Sequence, residues 1–221
     1  MKAIPRNQAE IMLTMQAAMN SKINTGWIDA GFPYLRAVVI EGAEAIEHHG
    51  WKWWKQQHCD VAQLQMEIVD IWHFMLSALL IKTRNDHQKA LHLLLAVNEA
   101  DFCKSYLDFD GRRYELSSLD LLEKLELLIG VSVSRRIELE LFRGLLQDCN
   151  MEWDELYKQY VSKNVLNFFR QDHGYKEGTY QKIWQGKEDN EHLVEVIGEL
   201  NPLDPQYPEK LYQFLKDRYQ R

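Results

Sequence analysis

The chain has 221 residues, 46% of them hydrophobic, and a formal net charge of −7. This length is enough for one sizeable core, and this composition excludes a disordered chain. The acidic balance argues against partners such as nucleic acid or an anionic membrane, so a phosphate ligand would need a local basic cluster or a bridging cation.

The cysteines and the N-terminal residues indicate the compartment. Cys59, Cys103 and Cys149 are scattered with no CxxC spacing, which favours a reducing compartment over a disulfide framework or a zinc site. The first residues contain charge and no long apolar run, unlike a signal peptide. The longest apolar run, residues 68–81, is shorter than the about 20 residues that span a bilayer, and it contains Asp70. We therefore expect a soluble, cytoplasmic protein.

The first predicted helix follows Pro5 and covers residues 6–21. Its apolar face at helical spacing is formed by Ile11, Met12, Met15, Ala18 and Met19. Gln16 and Asn20 lie four residues apart, so their amides point the same way. Periodicity alone favours two solvated side chains at these positions.

Two further helical patterns, at about residues 34–48 and 66–81, each carry two acids three residues apart. The acids are Glu41 and Glu44 in the first pattern and Glu67 and Asp70 in the second. A spacing of three places both acids on one surface, so four carboxylates converge if the helices pack side by side.

The second of these helices is apolar nearly all round, which is typical of a buried helix. Asp70, His73 and Ser77 form one polar seam on it. A buried carboxylate requires a basic side chain or a metal ion as its partner, and four facing carboxylates suit Mg²⁺ or Mn²⁺. The simpler interpretation is two surface acid pairs with a core histidine. We prefer that interpretation for Glu41 and Glu44 taken alone, and the metal site for Glu67 and Asp70.

The loop between these helices reads WKWWKQQHCD and alternates tryptophans with Lys52 and Lys55. Tryptophan faces can stack on a base and lysines can contact phosphate, although tryptophan clusters more often lie in cores or interfaces. Asp60 is the predicted N-cap of the long buried helix.

Residues 86–150 are predicted to be mostly helical, with leucines at helical spacing, a division near Gly130 and a cap at Ser117 or Ser118. We find no chemistry there beyond core packing and a subunit surface. The acids of this region are predicted to form a solvated face; they are Glu123, Glu126, Glu138 and Glu140.

An amphipathic helix is predicted at residues 151–169, and one edge of it combines amides with Lys163 and Arg170. Gly174 and Gly178 then permit tight turns among further lysines and aromatic residues. This is the local basic cluster that a phosphate ligand needs, which favours a ligand loop over an ordinary helix end.

The tail at residues 185–221 is predicted to form two short helices separated by prolines, as peripheral packing.

Four pieces in this order resemble the dimeric, all-α dUTPase family, which is related to the MazG-like nucleoside triphosphate pyrophosphatases. The pieces are MQAAMN, EGAE with WKWWK, EIVDIWHF, and KNVLNFFRQDHGYKEGTYQKIW. The resemblance implies a helical bundle of the all-α pyrophosphatase type. It further implies a single domain over residues 1–221, with metal-site helices at about 34–84 and a nucleotide-binding helix and loop at about 151–184.

The resemblance also implies hydrolysis of dUTP to dUMP and diphosphate with Mg²⁺, acceptance of dUDP, and a homodimer. By this analogy Glu41, Glu44, Glu67 and Asp70 hold metal, and Glu41 is the expected base. The phosphate chain would be held by Lys55, Lys163, Arg170, Lys176 and Lys182. The base and sugar would contact Gln16, Asn20, Trp54, Asn167 and Tyr175. His73 would orient the polar seam.

Three alternatives remain open from the sequence. A pyrophosphatase for dCTP or another non-canonical nucleotide would have the same four acids and a different base pocket. A di-iron bundle would need Glu-x-x-His motifs, and the only near match is Asp70 with His73. A non-enzymatic helical interaction protein would leave the buried acid pair and the amide and cation cluster unexplained.

Overall fold

Nine helices and two short hairpins form the part of the chain that the computed structural model describes, which is residues 3–96, 105–201, 204 and 206–219. The helices are α1 (Arg6–Ile23), α2 (Tyr34–His49), α3 (Val61–Lys82), α4 (His87–Ala96), α5 (Leu121–Val133), α6 (Leu139–Asp148), α7 (Trp153–Asp172), α8 (Asp189–Glu199) and α9 (Tyr207–Tyr219). The antiparallel hairpins are β1 (Tyr106–Phe109) with β2 (Arg112–Glu115), and β3 (Ile183–Trp184) with β4 (Lys187–Glu188). The all-α fold class is confirmed. Cys103, Pro202 and Pro205 lie outside the described residues.

Helix α3 lies at the centre of the core because nearly every face of it is apolar. Ile68, Val69 and Ile71 are fully buried. Asp60 caps the helix as predicted, with its carboxylate accepting from the Gln63 backbone N–H at 3.2 Å. The helix is long and apolar enough to cross a membrane by length and composition, but 72% of its most apolar window is buried within the protein. That degree of burial is what a core helix shows.

Helix α2 packs between α3 and α5, and this packing fixes the first pair of acids. Val38 and Ala45 on α2 are fully buried. Gly42 allows the close approach to α5, because a Cβ atom at this position would lie 2.9 Å from Ile129 Cγ1. With one side of α2 held by α5, the side that bears Glu41 lies against α3.

Helices α1 and α7 pack on another side of α3. The Tyr160 hydroxyl on α7 lies 3.0 Å from the Met12 carbonyl oxygen on α1. Trp72 on α3 donates its indole N–H toward Met12 Sδ at 3.3 Å and stacks on Phe142 of α6 at 4.7 Å. These contacts bring the polar positions of α1, α3 and α7 toward one another.

A short hairpin interrupts the mostly helical region at residues 86–150, and the predicted cap and the predicted division there are wrong. The sequence FDGRRY forms the turn of the first hairpin instead of helix, because Asp110 and Gly111 adopt φ of 49° and 71°, as a two-residue hairpin turn demands. The helix after it is capped by Asp120 in a capping box with Glu123, not by Ser117 or Ser118. Gly130 lies inside α5 and does not divide two helices.

The tail packs more closely than the prediction of peripheral packing suggests. Leu193 and Val196 of α8 and Leu211 and Leu215 of α9 are fully buried members of the main core. This packing fixes the start of α8, which approaches α7 next to the site described below.

Candidate active site

Three carboxylates from α2 and α3 converge. Glu41, Glu67 and Asp70 each offer one oxygen, and these oxygens all lie within 4.8 Å of one another. Glu67 is buried, with 8% of its surface exposed, and the other two are half-buried. Three oxygen donors of this kind at this spacing fit a hard divalent cation such as Mg²⁺.

Burial and mutual repulsion make Glu41 and Glu67 hard to ionise without a cation. Burial is the largest factor that raises the pKa of Glu41, and the nearby charge of Asp70 raises it further. Burial and the charge of Asp70 also raise the pKa of Glu67, against an opposing effect of Lys163. The carboxyl groups of Glu41 and Glu67 lie close together, and a proton on one of them would let the two groups share a hydrogen bond. A divalent cation could replace that proton.

Two further side chains of α2 lie beside the cluster. Glu44 is exposed and is not one of the three converging acids, but its charge contributes to the raised pKa of both Glu41 and Glu67. His48 Nε2 lies 3.5 Å from Glu67 Oε1. Sequence reasoning did not select His48, although it follows Glu44 at a spacing of four and so shares its side of the helix.

Asp70 also has a cationic partner from α7. Lys163 Nζ lies 2.9 Å from Asp70 Oδ2, and the lysine side chain is only 5% exposed. The same ammonium group donates to Asn190 Oδ1 at 3.2 Å. Lys163 therefore links the acid cluster to α7 and to the beginning of α8.

A cavity of about 330 Å³ opens beside the acids. Its walls include Glu41 and Asp70 on one side and Lys163 and Arg170 on the other. The remaining lining residues come from α1, α2, α3 and the end of α7, and they are Gln16, Met19, Asn20, Ile23, Tyr34, His73, Phe74, Asn167, Gln171 and Tyr175. Eight of the predicted site residues thus border one cavity, and this volume suits a small-molecule ligand.

The amides of α1 are buried in a hydrogen-bond network, contrary to the solvated positions that periodicity favoured. Gln16 Nε2 donates to Ser77 Oγ at 2.8 Å and to Asn20 Oδ1 at 3.2 Å. Asn20 Nδ2 donates to Ser77 Oγ at 3.1 Å. The Tyr160 hydroxyl lies 2.8 Å from Gln16 Oε1. Tyr160 was not selected from the sequence, because a tyrosine on an amphipathic helix has no distinguishing spacing.

His73 is a neutral member of this wall. Burial lowers the pKa of His73 to about 4, and its ring stacks on Tyr160 with centroids 4.2 Å apart. Its Nδ1 lies 2.9 Å from the Val69 carbonyl oxygen, which can only accept, so Nδ1 carries the proton. Nε2 is then an acceptor, and it is buried with no hydrogen-bond partner among the described residues.

Arg170 is held by the beginning of α8. Its Nε and Nη2 pair with Asp189 Oδ2 and Oδ1, both at 2.8 Å, and Nη1 donates to Asn167 Oδ1 at 3.3 Å. Asp189 is fully buried. Burial alone would raise the pKa of Asp189, but the hydrogen bonds and charge of Arg170 outweigh it and lower that pKa. Sequence reasoning missed Asp189, since nothing in the polar stretch GKEDNEH separates it from its neighbours.

The other predicted site residues lie at or beyond the rim. Tyr175 lines the cavity with its ring 5.8 Å from the Arg170 guanidinium, and it is half exposed. Lys176 donates to the Ile23 carbonyl oxygen at 2.9 Å, and Lys182 pairs with Glu188 at 3.0 Å. Lys55 and Trp54 are exposed on the loop between α2 and α3, where Trp54 contacts Trp51 and Trp53. None of these except Tyr175 lines the cavity.

A larger cleft of about 870 Å³ lies on the other side of Tyr34. Its walls include Arg36, Lys82, Arg135 and Arg136, and it contains none of the three converging acids. We place the chemistry in the smaller cavity, because the carboxylates, the buried amides and the buried cations meet only there within the described part of the chain.

The cavity joins clustered carboxylates to buried cations and amides, which are the groups that a metal-assisted hydrolase of a polyphosphate would use. Comparison with known proteins identifies the family. A dUTPase family model matches residues 8–175, and the chain belongs to that family. The protein is a dUTP diphosphatase that hydrolyses dUTP to dUMP and diphosphate. The chain matches no curated protein sequence.

Proposed function

We propose that the reaction depends on Mg²⁺ held by Glu41, Glu67 and Asp70, with Glu44 at the edge of the site. The convergence of three carboxylates beside a cavity lined by cations and amides is the single observation that carries this proposal. The bound cation would neutralise charge that builds on the phosphate oxygens during attack at the α-phosphorus. Mn²⁺ offers the same preference for oxygen ligands.

Glu41 is the proposed general base. A water molecule attacks the α-phosphorus, Glu41 accepts its proton, and the bond to the bridging oxygen of the β-phosphate breaks to release dUMP and diphosphate. A general base must lie where it can reach the attacking water. Glu41 borders the cavity, so it is within reach of a bound nucleotide.

Lys163 and Arg170 are the proposed inner contacts to the phosphate chain. Both are largely buried, border the cavity and carry positive charge in a chain of net charge −7. We propose that Lys55, Lys176 and Lys182, which do not line the cavity, meet the phosphates only after their loops move toward it. The exposed Trp54 belongs with this outer group.

The base pocket is proposed to lie among Asn20, Asn167, Gln16 and His73, with Tyr175 at its mouth. Both N–H groups of Gln16 are used within the protein, whereas Asn20 keeps one N–H for a ligand. The unpaired Nε2 of His73 could accept the N3–H of uracil. Cytosine has an acceptor at that ring position, so the same contact would count against dCTP. We also propose that dUDP is accepted, because the α-phosphate and the base would be bound in the same way.

The experiment that tests this function measures diphosphate release from dUTP, dCTP, dTTP, dATP, dGTP and UTP, each with Mg²⁺ and with EDTA. Turnover of dUTP alone that disappears in EDTA is the expected result. Turnover of dCTP at a similar rate would be compatible with the proposed metal site but would contradict the proposed base pocket. Equal dUTP turnover in EDTA would overturn the metal site.

We further propose that the protein is a cytoplasmic homodimer. An apolar face near α2 supports self-association, since Ile40 is 52% exposed, Phe32 is 40% exposed and both border a shallow hollow with Phe74. Light scattering coupled to size exclusion should give twice the mass of the chain for the native protein. Ile40→Glu should shift it toward the single-chain mass, and an unchanged mass for this variant would exclude that face.

A further inference from the structure

The buried carboxylate of Asp189 lies beyond the segment that the family model matches. That segment ends at residue 175, whereas Asp189 is the first residue of α8. Its carboxylate makes three short contacts, to Arg170 Nε and Nη2 at 2.8 Å each and from the Tyr180 hydroxyl at 2.9 Å. A fully buried carboxylate with this many partners is fixed in one position.

The pairing leaves part of the Arg170 guanidinium available. A guanidinium has five N–H donors, and the two that point to Asp189 form the short, bidentate contact. Two others reach Asn190 at 3.4 Å and Asn167 at 3.3 Å, which are long contacts. The fifth has no hydrogen-bond acceptor among the described residues. A phosphate group could therefore take up to three donors without disturbing the pair with Asp189.

Asp189 is itself anchored independently of the nucleotide cavity. Its backbone N–H donates to the Lys182 carbonyl oxygen at 2.9 Å. Glu188 and Glu191 form a capping box at the same turn. His192 stacks on Trp184 of the second hairpin, with Nε2 2.9 Å from the Trp184 carbonyl oxygen. The acid thus belongs to a packed structural unit that could hold the arginine before substrate arrives.

We propose that Asp189 is a positioning residue for dUTP hydrolysis, which fixes one edge of Arg170 so that its other N–H groups meet the phosphate chain. The inference rests on the proposed role of Arg170 as a phosphate contact. Pre-orientation lowers the entropy that binding must remove, and an arginine released from Asp189 would sample many rotamers. The tail of the chain then contributes to the active site through α8.

The test compares Asp189→Asn with native protein in binding deoxyuridine, dUMP and the non-hydrolysable α,β-imido analogue of dUTP, measured by titration calorimetry with Mg²⁺. Asparagine keeps the shape and loses the bidentate charged contact. We expect the analogue to bind about ten-fold more weakly and deoxyuridine to bind within about two-fold of native, as for other residues that orient a ligand contact. A general structural defect would weaken all three ligands alike, so it would not give a loss of affinity that grows with the number of phosphates.

Glu195→Gln is the matched control. Glu195 lies on the same helix and pairs with Lys187 at 2.5 Å and Arg218 at 2.6 Å, but it is exposed and borders no part of the cavity. Glu195→Gln should leave the affinities for deoxyuridine, dUMP and the imido analogue unchanged. Tyr180→Phe removes only one hydrogen bond to Asp189 and so disturbs folding less than Asp189→Asn. It should weaken binding of the analogue by about two- to three-fold.

The outcomes separate this inference from the function on which it rests. If Arg170→Lys weakens the analogue and Asp189→Asn does not, the positioning role is overturned and the arginine contact survives. Equal loss for deoxyuridine and the analogue would also overturn it, as would tighter binding of the analogue, which would mean that Asp189 only repels the phosphates. Absence of any dUTP turnover by native protein would instead refute the function.

Discussion

Two groups of carboxylates lie near the cavity, and their pKa values shift in opposite directions although burial acts on both in the same sense. Glu41 and Glu67 face each other and Asp70, so burial and like charge both raise their pKa. Asp189 is more deeply buried, yet its pKa is lowered because Arg170 binds both of its oxygens. The sign of the shift is therefore decided by the neighbours and not by burial.

This difference assigns different roles to the two groups. Lys163 is the close cationic partner of Asp70, whereas like charge and burial raise the pKa values of Glu41 and Glu67, so an added cation would relieve the repulsion among these acids. The pair of Asp189 with Arg170 is balanced within the chain and needs no ligand. In the proposed function, one side of the cavity would take up an ion, and the other would support an anion contact.

Changing Glu67 should give the largest effect. Glu67→Ala or Glu67→Gln should reduce Mg²⁺-dependent release of diphosphate from dUTP by at least about 100-fold, because the ion loses a ligand. The Gln variant should also unfold at a higher temperature in EDTA, since it removes a buried charge from a like-charged group.

The control for Glu67 is Glu126→Gln on the exposed side of α5, which should alter neither activity nor unfolding temperature. Full activity of the Glu67 variants would remove this residue from the mechanism. A stabilised Gln variant with unchanged Mg²⁺ and nucleotide binding would show that the acids serve no catalytic role.

Arg170→Ala tests the ion pair between Arg170 and Asp189 through its effect on the free energy of unfolding. It leaves the Asp189 carboxylate buried without its cation, so the free energy of unfolding in urea should fall by about 3–5 kcal/mol. Binding of the imido analogue should weaken by about 1–3 kcal/mol in addition. Arg113→Ala is the matched control, because Arg113 makes a similar bidentate pair with Asp108 on the surface, where about 1 kcal/mol or less is expected. Equal costs for the two arginines would show that the Asp189 pair is not buried in solution.

The pH dependence of stability should separate the two groups of acids. Because the pKa values of Glu41 and Glu67 are raised, the folded state binds more protons than the unfolded state above the ordinary value of 4.5. Metal-free protein should therefore lose stability as the pH rises from about 5 to 8, and saturating Mg²⁺ should reduce that loss. Asp189 has a lowered pKa, so its contribution is present above 3.8 and is lost only as the pH falls below that value. Calorimetric scans across this range, with and without EDTA, make the measurement. If the unfolding temperature of the metal-free protein instead rises with pH from about 5 to 8, the raised pKa values of Glu41 and Glu67 would be contradicted.

The sequence predicted the acid side of the cavity better than the cation side, for a physical reason. Glu41, Glu67 and Asp70 stand on two helices joined by one short loop, so helical spacing and simple side-by-side packing bring them together. Most of the predicted helix bounds followed from the same periodicity, whereas the fold class was implied by the resemblance to the family. The short hairpin at Asp110 and Gly111 was missed because helix-like leucine spacing on both sides outweighed a two-residue turn signal.

Contacts between residues that lie far apart in the sequence could not be predicted from helical periodicity. Asp189 meets Arg170 across 19 residues, through a hairpin of two-residue strands that has little signal of its own. Periodicity alone favoured solvent for Gln16 and Asn20, whereas both are buried with hydrogen bonds to Ser77 of α3, and Gln16 also meets Tyr160 of α7. The position of a polar side chain depended here on its distant partner, which spacing along one helix does not reveal.

The smallest expected effect concerns Lys182, whose ammonium pairs with Glu188 where both side chains are about half exposed. Lys182→Ala should change the free energy of unfolding by about 0.5 kcal/mol or less, because exposed pairs are weak and screened by salt. If Lys182 acts on the nucleotide only as a distant charge, binding of the imido analogue should weaken by less than about three-fold, and this effect should disappear at about 1 M salt. Lys187→Ala, next to it on the hairpin and paired with Glu195, is the control and should behave alike. A loss of affinity at high salt as large as that of Arg170→Lys would instead support the proposed loop movement that brings Lys182 into direct contact with phosphate, and the cation side of the cavity would then be only partly preformed.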